Sequence, residues 1–173
     1  MNAINKPYKR PVSVLVVIHH QYQQFLMLQR VDNAEFWQSV TGSLEENETP
    51  LETAARELCE ETGLCLAKEQ IHDWHTHYDY DIYPEYWHRY PPGTRRNTEH
   101  VFSVEVALDA LITIAPAEHS AYRWVDANSA LAMAYSPSNR QAIEQRRIGT
   151  IYRPPDRADA SFNGNLLQIA RRR

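Results

Sequence analysis

The stretch GSLEENETPLETAARELCEETGL, residues 42–64, constrains the chain more than any other part. It specifies a helix and loads it with charge of one sign. Both ends of that helix are written locally. Thr49-Pro50-Leu51-Glu52 has the form of a capping box with proline in the first turn, and Gly63 stands where a left-handed residue ends a helix. The helix is expected over about 50–62. At about 100° per residue, Leu51, Ala54, Ala55, Leu58 and Thr62 share one stripe, which should face a core. Glu57, Glu60 and Glu61 share a second stripe, roughly 120° around the axis, and are expected to project together off the core face.

A solvated acidic face is one reading of that stripe. Exposed like-charge pairs one turn apart cost only about 0.2–0.5 kcal/mol each. A solubilising face usually interleaves lysines, however, and this one has only Arg56. In a cleft, a pair about 5 Å apart repels by roughly 3 kcal/mol at an effective dielectric near 20. Divalent cations turn that repulsion into attraction, and Mg²⁺ binds carboxylates and brings substrate phosphates with it. The cluster therefore points to a metal site acting on a phosphate ester or anhydride.

Around this helix the chain reads as a mixture of strands and helices without regular alternation. VSVLVVI (12–18) is a buried strand, HHQYQQ a polar turn, and FLMLQR (25–30) the second arm of a hairpin. FWQSVTG (36–42) is short and extended. Strands are expected at 71–80, 98–108 and 121–125, with an aromatic, proline-rich irregular segment at 81–97. Asp126 is placed to cap a helix ANSALAMAY, and SNRQAIEQRR (138–147) forms another. This pattern implies an α/β fold with a mixed sheet and flanking helices. Residues 1–148 read as one domain. Residues 149–173 shift to proline, polar and basic residues and read as a partly flexible extension, in which NLLQIA could dock.

At 173 residues the chain is long enough for a real core, and 43% hydrophobic with 23% charged residues is ordinary for a globular protein. A net charge of −4 asks for neither nucleic acid nor a membrane as partner. The two cysteines, Cys59 and Cys65, are expected to be free, half-buried thiols in a cytoplasmic protein.

The helix segment also carries a specific pattern: Gly42, Glu48, Arg56-Glu57-Leu58, Glu60-Glu61, then Gly63-Leu64. In this it resembles the signature of the Nudix hydrolases. The resemblance implies an α/β/α sandwich that cleaves nucleoside-diphosphate-like compounds with Mg²⁺, Mn²⁺ being a possible substitute. YKRPVSVLVVI, LMLQR, FWQSVTGS, RYPPGTRRNTE, AEHSAYRWVDA and SNRQAIEQ extend the likeness to the branch that removes pyrophosphate from 7,8-dihydroneopterin triphosphate on the way to folate.

By that resemblance Glu57, Glu60, Glu61 and Glu118 are the metal ligands. Glu61, Glu118 and Arg56 form the catalytic set, and Glu118 can orient the attacking water. Arg56 can pair with Glu60 one turn on, and Glu48 can act through hydrogen bonds. Lys9, Arg30, Thr41 and Ser136 match substrate-contacting positions. Lys9 and Arg30 suit phosphate oxygens, and Tyr80 and Tyr83 are candidate walls for a flat ring. The implied partner is a small-molecule triphosphate. Oxidised or ordinary nucleoside triphosphates, dinucleoside polyphosphates, or nucleotide binding without turnover are the alternatives.

Overall fold

The structure, a computed structural model, describes residues 7–149; the NLLQIA stretch and the terminal arginines lie outside the described residues. In chain order the elements are β1 (Val12–His20), β2 (Gln24–Arg30), β3 (Trp37–Gln38), β4 (Val40–Ser43) and α1 (Pro50–Thr62). Then come β5 (His72–Asp81), β6 (Arg96–Glu105), β7 (His119–Asp126), α2 (Ala127–Met133) and α3 (Pro137–Gly149). Among the described residues, seven strands form one mixed sheet. Its main path runs β3-β2-β1-β6-β5, with β4 paired to β1 and β7 to β2.

The centre of the sheet is β1, which pairs parallel to β6 over its whole length. Val14, Val16 and Ile18 face α1 together with Leu26, Phe102 and Val104. Leu15 and Val17 face α2 and α3. A strand covered on both faces has no polar side to offer, which is why VSVLVVI is an unbroken apolar run. The result is a three-layer α/β/α sandwich with one core on each side of the sheet.

The hairpin expected between β1 and β2 is shorter than the sequence implies. Only His19–Phe25 and His20–Gln24 pair. The strands then part, β1 taking β4 as its partner and β2 taking β7 and β3. This splitting divides the extended segment FWQSVTG at Ser39 into two short strands. Within the aromatic segment at 81–97 a 3₁₀ turn forms at Pro84–Arg89, and another, not anticipated, at Lys68–Gln70.

The ends of α1 match the local code. The Thr49 side chain accepts from the Glu52 amide, and the Glu52 carboxylate accepts from the Thr49 amide at 2.9 Å. Gly63, at φ 74°, ends the helix and donates to the Cys59 carbonyl. Its reversal carries Cys65 back to Cys59, and the two form a disulfide with Cα atoms 4.3 Å apart. This corrects the expectation of free thiols: the six-residue spacing becomes close only because Gly63 turns the chain.

His19 likewise departs from the expected turn. It lies in β1, only 2% exposed, stacked on Tyr22, and its Nδ1 accepts from the Tyr22 amide at 3.1 Å. Burial lowers its pKa to about 4, helped by the charges of Arg146, His20 and His72. The unfolded chain therefore binds this proton first. Stability from this group is intact above the ordinary value near 6.5 and is lost as pH falls toward 4, by about 3 kcal/mol in all. His19→Gln is expected to flatten the pH dependence of urea unfolding between those limits; an unaltered slope would show that His19 does not set it.

Candidate active site

The site is organised around one guanidinium. Arg56 donates Nε and Nη2 to the two oxygens of Glu48 at 2.7 and 2.9 Å, a bidentate pair. Its Nη1 reaches Glu57 at 2.8 Å and Glu60 at 3.3 Å, and Nη2 also meets the Ser43 carbonyl. The Glu60 contact expected from the spacing is thus the weakest of three. Glu48 also accepts from the Thr53 hydroxyl and the Glu45 amide, so the loop before α1 is pinned to the helix. The Arg56 hydrogen bonds hold the Glu48 carboxyl at about 2, well below the usual range.

The three helix glutamates do not share an environment. Glu60 points outward with its side chain 55% exposed, while the side chains of Glu57 and Glu61 are 12% and 1% exposed. This corrects the expectation that all three project off the core face. The sheet edge at β4 and the start of β7 cover the helix's last turns, so the stripe meets solvent on one flank only. Glu57 lies over Gly42, where an added Cβ would come 1.9 Å from its Cδ. Burial pushes its pKa up to about 7 against the pull of Arg56.

Glu61 is raised as well, chiefly by burial, against its hydrogen bond with His119. Its Oε2 lies 2.7 Å from Nε2 of His119, while its Oε1 is buried without a partner.

Glu118 arrives from the far end of the chain by a stitched loop. The Thr113 amide donates to the Thr62 carbonyl and the Ala115 amide to that of Glu61, tying residues 113–115 to the end of α1. Glu118 and His119 then donate their amides to Ala115. A bulge where β2 meets β7 sets Arg30 opposite His119, and the Val31 amide takes the Glu118 carbonyl. Ligand atoms of Glu61, Glu118 and His119 consequently lie within 4.8 Å of one another.

An unpartnered buried carboxylate oxygen, an exposed carboxylate beside it and a glycine cradle for a third fit a divalent cation. The geometry groups Glu61 and Glu118 with His119; Glu57 stands against Gly42, and Glu60 lies on the outer flank.

Cations surround this acidic centre. Lys9, anchored by its amide to the Arg89 carbonyl, senses Arg89, Glu57, Glu118 and Arg30; burial lowers its pKa most. Arg30 stacks over Phe36 and is paired with Asp32, which raises its pKa. Thr41 accepts from Gln38 Nε2. Tyr80 is half-buried beside Asn97 and Ser13. Tyr83 is exposed and meets Tyr86 edge-on. Ser136 accepts from the Asn139 amide at the start of α3.

Two residues of the site were missed in the sequence: Arg89, visible only as a basic residue in RYPPGTRR, and His119, adjacent to Glu118. In a strand, neighbours face opposite sides, and nothing local announces that His119 turns inward to Glu61.

The chain matches the NUDIX domain over residues 9–145. It belongs to the Nudix family. Nudix hydrolases generally use a divalent metal, in keeping with the acidic centre. Among Nudix relatives, dihydroneopterin triphosphate diphosphatase of Escherichia coli K12 is 47% identical over 144 residues, covering 82% of this chain and 95% of its own. The enzyme of the same name from Haemophilus influenzae is 38% identical over 141 residues, covering 80% and 88%. The solved structure of the E. coli dihydroneopterin triphosphate pyrophosphohydrolase superposes with a TM-score of 0.76, covering 83% of this chain and 99% of that one. No helix among the described residues is long and apolar enough to cross a membrane.

Gly42→Ala tests the Nudix centre directly. A methyl group there must displace the Glu57 carboxylate, so hydrolysis is expected to fall about 10²-fold and to need more metal for saturation, with the circular dichroism of the folded chain retained. An unchanged metal titration would remove Glu57 from the cation site.

Proposed function

We propose that this protein is a Mg²⁺-dependent pyrophosphohydrolase, with Mn²⁺ able to substitute, that converts 7,8-dihydroneopterin triphosphate to dihydroneopterin monophosphate and pyrophosphate. The observation that carries the reading is 47% identity across 95% of the E. coli enzyme of that name. The site chemistry supports it. Glu57, Glu61 and Glu118 would hold the cation, with Glu60 on the outer flank. A bound Mg²⁺ neutralises phosphate oxygens and lowers the pKa of its water.

The remaining work falls to the chain's own groups. Lys9, Arg30 and Arg89 bind and orient the triphosphate, whose charge is spread over oxygens in the transition state. Arg56 holds Glu57 in place through hydrogen bonds. His119 fixes one oxygen of Glu61 and leaves the other free to act. Glu118, at the exposed lip, orients the attacking water. Thr41 and Ser136 contact the substrate at the inner end, and Tyr80 supplies one wall for the flat ring. The intact set of carboxylates argues against a domain that binds nucleotides without turnover.

Glu61→Gln is expected to lose at least about 10² in turnover at saturating Mg²⁺. For the substrate, kcat/KM on dihydroneopterin triphosphate is expected to exceed that on ATP by about 10² or more. All three compounds of a panel that also includes GTP share the triphosphate, so only contacts to the ring and its side chain discriminate. GTP is expected to be the better of the two nucleotides. Equal efficiency on GTP would move the protein to nucleoside triphosphates and leave the metal assignment standing.

A further inference from the structure

At one edge of the sheet, β5 and its neighbour β6 carry a group of side chains that the hydrolysis does not use. Asp73, His75, His77 and His100 line one open cavity of about 420 Å³, whose other wall is the start of α1 at Thr49, Pro50 and Leu51. The strand pairing gathers them. His77 and His100 stand directly opposite in the antiparallel ladder, and Asp73 opposes Phe102, on the same face of β6 as His100. Phe102 packs in the core beneath α1, so this is the α1 face. His72 opposes Ser103 and takes the other face.

His75 reaches the cavity through an irregularity. The register shifts between Asp73 and Thr76, and His75 has a φ of 50°, in the left-handed region. The Asp73 carboxylate holds this turn by accepting from the His75 amide at 2.7 Å. A bulge re-aims a side chain that regular alternation would send elsewhere. It leaves His75 Nδ1 3.5 Å from Asp73 Oδ2. Two ligand atoms on a tetrahedral zinc, with bonds of about 2.0–2.1 Å, are separated by roughly 3.3 Å. His77 and His100 supply a second pair. Residues directly opposite have Cβ atoms about 4.5–5.5 Å apart, and these two rings lie 5.9 Å centroid to centroid. His77 is exposed and His100 half-buried, so the His77 ring can swing toward its partner.

The surroundings select a cation over an anion. Asp73 lines the cavity, and the first turn of α1 is already spent: Thr49 and Glu52 cap it, and Pro50 has no N–H to offer. Burial lowers the His100 pKa, with His77 adding to it and Asp73 and Asp79 opposing; the neutral ring is the form that binds metal. Imidazole with carboxylate suits zinc, copper and nickel, whereas Mg²⁺ takes oxygen ligands. We propose that Asp73, His75, His77 and His100 form a binding site for a zinc-like divalent transition metal, separate from the catalytic centre. Leu51, at the cavity wall, and Glu61 are about 15 Å apart along α1. The site is independent of the substrate reading above. A metal held there clamps the bulge of β5 to β6 and stabilises the folded chain by its binding.

The test uses the untagged full chain with zinc as the probe, in excess Mg²⁺ so that the catalytic carboxylates are occupied. Binding is followed by calorimetry, the ligands by the ¹⁵N–¹H spectrum of the histidine rings, and stability by thermal melting, for wild type and His77→Gln. In wild type, zinc is expected to shift the ring resonances of His77 and His100 and to raise Tm. In His77→Gln, zinc affinity at this site is expected to fall at least about 10²-fold, because even an outer-shell partner of a metal ligand is worth about 10–100-fold. The zinc-dependent rise in Tm should go with it. Circular dichroism, and Mg²⁺-dependent hydrolysis without zinc, are expected to be the same in both proteins.

A wild type that takes up no zinc under these conditions would overturn the assignment. So would zinc affinity and a Tm rise unaltered in His77→Gln. A shift confined to His119 would place the zinc in the catalytic centre and overturn it equally.

Discussion

Arg56 is the interaction on which the site depends. Its five donors are spent on three carboxylates and a backbone carbonyl, which fixes the loop before α1, the helix and the end of β4 relative to one another. A lysine has one point of charge and could not hold a bidentate pair and a second carboxylate in one plane. With the fork in place, carboxylates that repel one another are kept within reach of a common centre. The cost of that repulsion is carried by the fold and recovered when a cation binds. The same logic explains why burial pushes Glu57 and Glu61 upward: the protein alone does not fully compensate their charge.

The sheet separates two kinds of chemistry. On the α1 face, charge dominates, with glutamates against an arc of basic side chains. On the α3 face the buried polar groups are amides and hydroxyls together with the carboxyl of Glu99 and the guanidinium of Arg146, which stacks over Trp74. Charge gives strength but little discrimination among triphosphates, whereas buried neutral donors and acceptors reject a partner that leaves them unpaired.

What was legible in the sequence was local. The capping box at Thr49, the stop at Gly63 and the run VSVLVVI are each decided within a few residues, and the structure agrees with all three. The spacing of the glutamates identified the family. The burial of Glu57 and Glu61 was not legible, because it depends on a glycine 15 residues upstream and a strand nearly 60 residues downstream. The partnership of His119 with Glu61 and the split between β1 and β2 share this character. Each follows from where the backbone returns, and no side-chain pattern near the residue records it.

The register of β1 carries a consequence for the two strands beside it. Ser13 pairs with Ser43 on one side and Glu99 on the other, so at this level of the sheet β4 and β6 are separated by whole strand spacings. Such a separation is quantised: backbone hydrogen bonding allows about 5 Å steps and nothing between. The central strand therefore acts as a ruler. One residue of slippage in β1 would turn Ser13 to the other face altogether. The distance between β4 and β6 belongs to the backbone, and side-chain evolution can change what each strand presents but not how far apart they lie.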